Sequence, residues 1–140
     1  MTRAASWSAP LAVLALLAFV ACQAPAPATP PSVTGQVEHI VLIALKDGTA
    51  AERDAVKTKL IDTSRSFQHQ IPGIVSIVVG DALPSLQPVA GEPFDLMVVL
   101  RFQSKQALDA YLVHPVHTRA VADVLAPNVR NVVIHDAVLR

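Results

Sequence analysis

Cysteines, aromatic residues and long apolar runs are all scarce in this chain of 140 residues. The single cysteine, Cys22, excludes an intramolecular disulfide and a cysteine-rich metal site. Glycine is limited to 5 residues, and no glycine-rich phosphate loop, nucleophile elbow or redox cysteine pair occurs. No cofactor is therefore expected. An excess of one charge is missing too. The 11 basic side chains balance 11 acidic ones, which leaves no electrostatic footprint for nucleic acid. The longest apolar run, Leu11 to Ala21, falls well short of the roughly 20 residues a membrane-spanning helix needs.

That run is instead suited to a secretory signal over residues 1–22, with Arg3 as its positive start. The signal ends Phe19-Val20-Ala21-Cys22. This resembles a bacterial lipobox, with Phe19 where the motif usually has Leu. Cys22 is thus expected to carry acyl chains, each buried methylene contributing about 0.8 kcal/mol to anchoring. Membrane contact would be through that N-terminal lipid alone. Gln23 stands where Asp commonly marks retention in the inner membrane, which favours the outer membrane, facing the periplasm. Ordinary cleavage near Ala24, giving a secreted periplasmic protein, is the alternative. Residues 23–36 are rich in Pro, Ala and Thr and read as an extended tether.

Residues 37–140 carry the domain. Val37 to Leu45 is a strand apolar on both faces, so both faces are expected to be covered. Val37, His39, Val41 and Ile43 share one face; Ile40, Leu42 and Ala44 share the other. Thr49 and Glu52 have the spacing of a capping box. The helix they open runs to about Gln70, with Val56, Leu60, Thr63 and Phe67 as its apolar stripe. His69 sits in the last turn, where a cation suits the helix dipole. Ile71-Pro72-Gly73 stops this helix. Strands follow at 74–80 and 94–102, joined by a long connection from Asp81 to Pro93 that is placed to overhang a cavity mouth. Ser104 caps a helix from Lys105 towards Val113. Pro115 suits the first turn of a continuing helical segment. That segment is expected to turn Val116, Ala120, Val121 and Val124 inward and to end at Pro127. Val129 to Val138 is the last strand, with His135 and Asp136 read as part of its pairing and edge.

The order is βαββαβ, a ferredoxin-like α+β half-barrel: four antiparallel strands with both helices on one face. The other face, expected to carry Val41 and Ile43, is also apolar. A surface of that size should not stay in water. The economical cover is a second copy, giving a twofold homodimer whose sheets meet in a barrel.

Chemistry is concentrated in Tyr111-Leu112-Val113-His114-Pro115-Val116-His117, which holds the chain's only Tyr and two of its 5 histidines. A neutral imidazole suits a general base, and a phenol suits a donor to a developing oxyanion. Tyr111 and His117 lie six apart, off a single helical stripe, and a break at His114-Pro115 could bring them together. Each also has a local structural alternative: an edge-of-core tyrosine, or a histidine satisfied near a helix start. His114 precedes a proline and reads first as a boundary residue bonding nearby backbone, second as a ligand-binding residue. His39 on an apolar face reads as a satisfied core histidine or a pocket residue. A metal site built from His39, His114 and His117 is the weaker reading, because Pro115 disturbs the pair and no carboxylate supports it.

The domain resembles the stress-responsive dimeric α/β-barrel family. The matching features are Val37-Glu-His-Ile-Val-Leu, Ile71-Pro-Gly, Phe102 before the second helix, Tyr111-x-x-His114-Pro-x-His117, and Asp136 on the last strand. The resemblance implies a ferredoxin-like dimer. A plant member of the family closes a linear polyketide without a cofactor. By that likeness Tyr111 and His117 would be the catalytic pair, with His39 beside them. Two departures alter the pocket: Leu96 and Ser64 align with a histidine and a tyrosine of that enzyme. The expected function is binding of a small apolar molecule in the barrel, with His39, Val41, Ile43 and His114 as ligand-binding residues. The alternatives are a cofactor-free enzyme using Tyr111 and His117, and a purely structural dimer.

Overall fold

Thr49 and Glu52 do close a capping box. The Glu52 amide donates to Thr49 Oγ1 at 3.3 Å and the Thr49 amide donates to Glu52 Oε2 at 2.8 Å. They open the long helix of a computed structural model that describes residues 32–83 and 93–140. The signal, Cys22, most of the tether and most of the Asp81–Pro93 connection lie outside the described residues. The described residues form one compact unit.

The elements are β1 (Val37–Leu45), α1 (Ala50–Gln70), β2 (Ile74–Asp81), β3 (Leu96–Phe102), α2 (Lys105–Leu112), α3 (Pro115–Ala120), a π-helical turn (Val121–Leu125), α4 (Ala126–Asn128) and β4 (Val129–Val138). The antiparallel sheet has the order β2-β3-β1-β4, so β1 and β3 are central and β4 is an edge. The fold thus extends as read from the pattern, with one difference in its second helical half. Pro127 does not end the segment. The chain stays helical to Asn128, because Pro at the start of a short helix needs no N–H. A wider π turn precedes it, and Asn128 Nδ2 donates to the Val124 carbonyl at 2.7 Å.

Register decides which face is covered. Val37, His39, Val41 and Ile43 pair with Phe102, Leu100, Val98 and Leu96 of β3. All eight are buried, and they pack under Leu60 and Phe67 of α1 and Leu108 and Tyr111 of α2. Full burial of one such side chain stabilises by roughly 1.5–3 kcal/mol. The helices therefore cover the Val41/Ile43 face, which corrects the expectation that this face lies open for a partner. The open face carries Ile40 and Leu42 on β1, Met97 and Val99 on β3, Val78 on β2 and Val133 on β4. Arg101 and Glu38 form an ion pair across it.

Ile71-Pro72-Gly73 has a local cause. Ile71 caps α1, donating its amide to the Phe67 carbonyl at 2.9 Å, and is buried. Gly73 has φ +89°, and a Cβ there would meet Ala107 of α2 at 2.7 Å. Only glycine allows both the turn and the close approach of α2. At the start of the domain, Gly35 N donates to the Leu139 carbonyl and Leu139 N to the Gln36 carbonyl. The last residues assigned to the tether thus already pair with the end of the sheet.

Candidate functional site

The break at Val113-His114 does bring Tyr111 and His117 together. His114 takes an extended backbone as the N-cap of α3, and its Nδ1 accepts the Val116 amide at 3.3 Å. Pro115 occupies the first turn. The new helix direction folds His117 back over the end of α2, where its Nδ1 meets the Leu112 carbonyl at 3.2 Å. The Tyr111 and His117 ring centroids lie 4.2 Å apart.

Three more rings complete a cluster. Phe102 of β3 lies 5.0 Å from Tyr111, and Phe67 of α1 and His39 of β1 each lie 5.9 Å from it. In a chain with 4 Phe and 1 Tyr, gathering three of those five rings with two histidines is itself a signal. Phe67 and Phe102, taken from the sequence as a stripe residue and a family mark, were missed as site residues on that ground.

His39 is 3% exposed, the one buried polar residue among those described. Its Nδ1 lies 2.6 Å from Asp136 Oδ1, and the β1–β4 register sets the two residues opposite each other. Asp136 is thus the site residue that a reading of strand pairing and edge overlooked. A buried imidazole needs a partner, and an acidic residue on the same face of the last strand was the available sign.

His39, Phe67, Tyr111 and His117 floor a cavity of about 350 Å³ between the sheet and the helices, with Phe102 packed behind them. Val41, Ile43, Leu60, Ala120, Val121 and Val124 are among its walls, and Thr63 and Ser64 add hydroxyls. Ile134 and Leu112, which also line it, are 53% and 39% exposed, so the cavity opens between β4 and the end of α2. It lies within one chain rather than between two sheets, a consequence of the corrected face assignment. His114 is not a wall residue. Its Nδ1 is engaged in capping α3. Leu96 is fully buried and also absent from the walls.

Residues 37–139 match the family described as the Stress responsive A/B Barrel Domain. The chain belongs to this family. Among solved structures, a dimeric protein of unknown function from Bacteroides fragilis is similar at 24% identity and TM-score 0.64, over 76% of this chain and 98% of that one. A dimeric ferredoxin-like protein of unknown function from Jannaschia is 26% identical with TM-score 0.58, over 75% and 100%. A hydroxynitrile lyase from Passiflora edulis shares the fold at 16% identity and TM-score 0.61, over 75% and 94%. No curated protein matches the chain.

Electrostatics in this A/B barrel domain assign proton positions. The Leu112 carbonyl accepts only, so His117 Nδ1 carries the proton and Nε2 is the free acceptor. The same logic puts a proton on His39 Nδ1 against the Asp136 carboxylate, and the neutral ring then has Nε2 as its acceptor. Burial lowers the His117 pKa from its ordinary 6.5, and the nearby His39 and His114 lower it further, while the Leu112 carbonyl opposes both. His117 is therefore neutral at pH 7. Burial pushes the Tyr111 phenol up from 10, so it stays protonated as a donor. Neither Nε2 atom nor the Tyr111 hydroxyl bonds a protein group among the described residues. None is sealed either, since Gln36 Oε1 is the enclosed side-chain polar atom lacking a partner there. Among the described residues no cluster of three or more His, Cys, Asp and Glu side chains could hold a metal ion. What remains is two imidazole acceptors and one phenol donor at the floor of an apolar chamber.

Proposed function

We propose that this domain binds a small, largely apolar molecule in the chamber between its sheet and helices. The observation that carries the reading is the cavity itself, apolar in its walls and polar at His39, Tyr111 and His117, the usual composition of a small-molecule site. Its 350 Å³ sits at the small end of the roughly 300–1,000 Å³ typical of such sites. The protein acts as a homodimer. Support comes from the apolar open sheet face, which needs cover, and from relatives described as dimeric. It works in the bacterial envelope, held by lipid on Cys22 and facing the periplasm, a reading supported by the N-terminal sequence.

A titration with the neutral fluorophore 1-aminoanthracene tests binding. Uptake should saturate at one site per chain and fall when Val124→Trp fills the chamber. Absent uptake by the wild-type domain would sink the reading. Ile40→Asp, placed on the open face, should give monomers by light scattering; an unchanged mass would remove the dimer.

A second reading is favoured by the 4.2 Å approach of Tyr111 and His117. A free imidazole beside a protonated phenol is equipped to take a proton next to a carbonyl and steady the oxyanion that forms. The domain would then be a cofactor-free proton-transfer or ring-closing enzyme. Under that reading His117→Ala and Tyr111→Phe abolish turnover while the dimer persists.

A further inference from the structure

The polar floor of the chamber is unbalanced, and the imbalance specifies a ligand. Its fixed acceptors are the Nε2 atoms of His39 and His117, whose protons are held on Nδ1 by Asp136 and by the Leu112 carbonyl. Its fixed donor is the Tyr111 hydroxyl. Thr63 and Ser64 can turn their hydroxyls either way, so they do not remove the surplus of acceptors. Among the described residues no Lys, Arg, Asp or Glu lines the chamber. The Asp136 carboxylate lies one imidazole ring behind the floor, 2.6 Å from His39 Nδ1.

From this geometry we infer that the chamber takes an apolar alcohol, and excludes carboxylates and ethers of the same size. The inference rests on the binding reading above and names its ligand class. A hydroxyl donates to an imidazole Nε2 and accepts from Tyr111, satisfying both at once. An ether accepts from Tyr111 but leaves both imidazoles without a donor, and a buried acceptor left unpaired is costly. A carboxylate fares worse. It sheds its hydration, meets no cation, and enters the field of Asp136. Size is set by volume: 350 Å³ is the space of about a dozen waters in the liquid, which suits a chain of roughly ten carbons with its oxygen.

The test uses the domain from residue 32 to residue 140. That part folds alone: it holds the whole core, and relatives that it covers over 98–100% of their own length exist as that domain. Bound 1-aminoanthracene is displaced at pH 8 by 1-decanol, methyl nonyl ether or decanoate, which are near-equal in size. 1-Decanol should displace it at a concentration at least tenfold below either competitor. In His117→Phe the alcohol-to-ether ratio should shrink at least threefold, because one acceptor is gone. Equal displacement by the ether, equal displacement by decanoate, or a ratio indifferent to His117→Phe would each overturn the inference while leaving binding intact. If 1-aminoanthracene itself does not bind, the binding reading fails, and this inference with it.

Discussion

Removing the Asp136 carboxylate should both loosen the domain and change the chemistry at its floor. His39 is buried, and its Nδ1 is 2.6 Å from Asp136 Oδ1. A hydrogen bond to a charged group contributes roughly 1.5–3 kcal/mol. The Asp136 side chain is 44% exposed, however, so water shares the carboxylate and the figure must be discounted. Asp136→Ala is expected to cost about 1 kcal/mol, since water can reach the vacated position. For a domain of this size that lowers the melting temperature by about 4–8 °C. Asp136→Asn tests the proton rather than the packing. An amide can donate as well as accept, so the His39 ring is free to carry its proton on Nε2 instead. Nitrogen-15 spectra of labelled histidine separate the two tautomers. The wild type should be Nδ1-protonated and Asp136→Asn mixed. Wild-type melting of Asp136→Ala together with an unchanged tautomer in Asp136→Asn would refute the role assigned to this carboxylate.

Tyr111→Phe removes a hydroxyl that bonds no protein group among the described residues, so stability should change by less than about 0.5 kcal/mol while displacement by 1-decanol weakens; a large melting shift would mean the hydroxyl is structural. Gly73→Ala meets both φ +89° and Ala107 at 2.7 Å and should cost about 1–3 kcal/mol, read by urea denaturation. The pH dependence follows from His117. Well above pH 6.5 the ring is neutral in both states and adds no slope. As pH falls below the unfolded value of 6.5, the unfolded chain takes a proton that folded His117 resists, so this group makes stability decline with acid until its lowered folded pKa is passed. His117→Gln should flatten that decline in a melting series from pH 7.5 to 5. Cys22→Ser should shift the full-length protein from the membrane to the soluble fraction, and unchanged retention would remove the lipid anchor.

Much of the scaffold was legible because its signals are local. Thr49 and Glu52 mark the start of α1 through their own hydrogen bonds, and Ile71-Pro72-Gly73 marks its end through a backbone angle. The order βαββαβ follows from such punctuation. The Tyr111–His117 approach was legible only as a condition, since it depends on how far a helix turns at His114-Pro115. The outcome rests on two backbone partners, the Val116 amide and the Leu112 carbonyl, that no spacing rule specifies. The π turn at Val121–Leu125 has no periodicity of its own, and Pro127 within a final helical turn looks the same in sequence as Pro127 after one.

The covered face of the sheet was read the wrong way round for a definite reason. β1 is apolar on both sides, so alternation along the strand separates two faces without ranking them. The ranking was available from His39. A histidine placed among Val37, Val41 and Ile43 has Asp136 of β4 on its own face in either arrangement, but only the helix-covered face brings a helix side chain to its ring. That side chain is Tyr111 of α2. The polar residue therefore belongs on the side where side chains from helices can meet it. The other side, with Ile40, Leu42, Val99 and Val133, is left to a flat apolar contact. Separating the two has a functional consequence: the chamber and the open face share strands but no side chains, so a ligand seated on His39 and His117 does not compete with cover over Ile40.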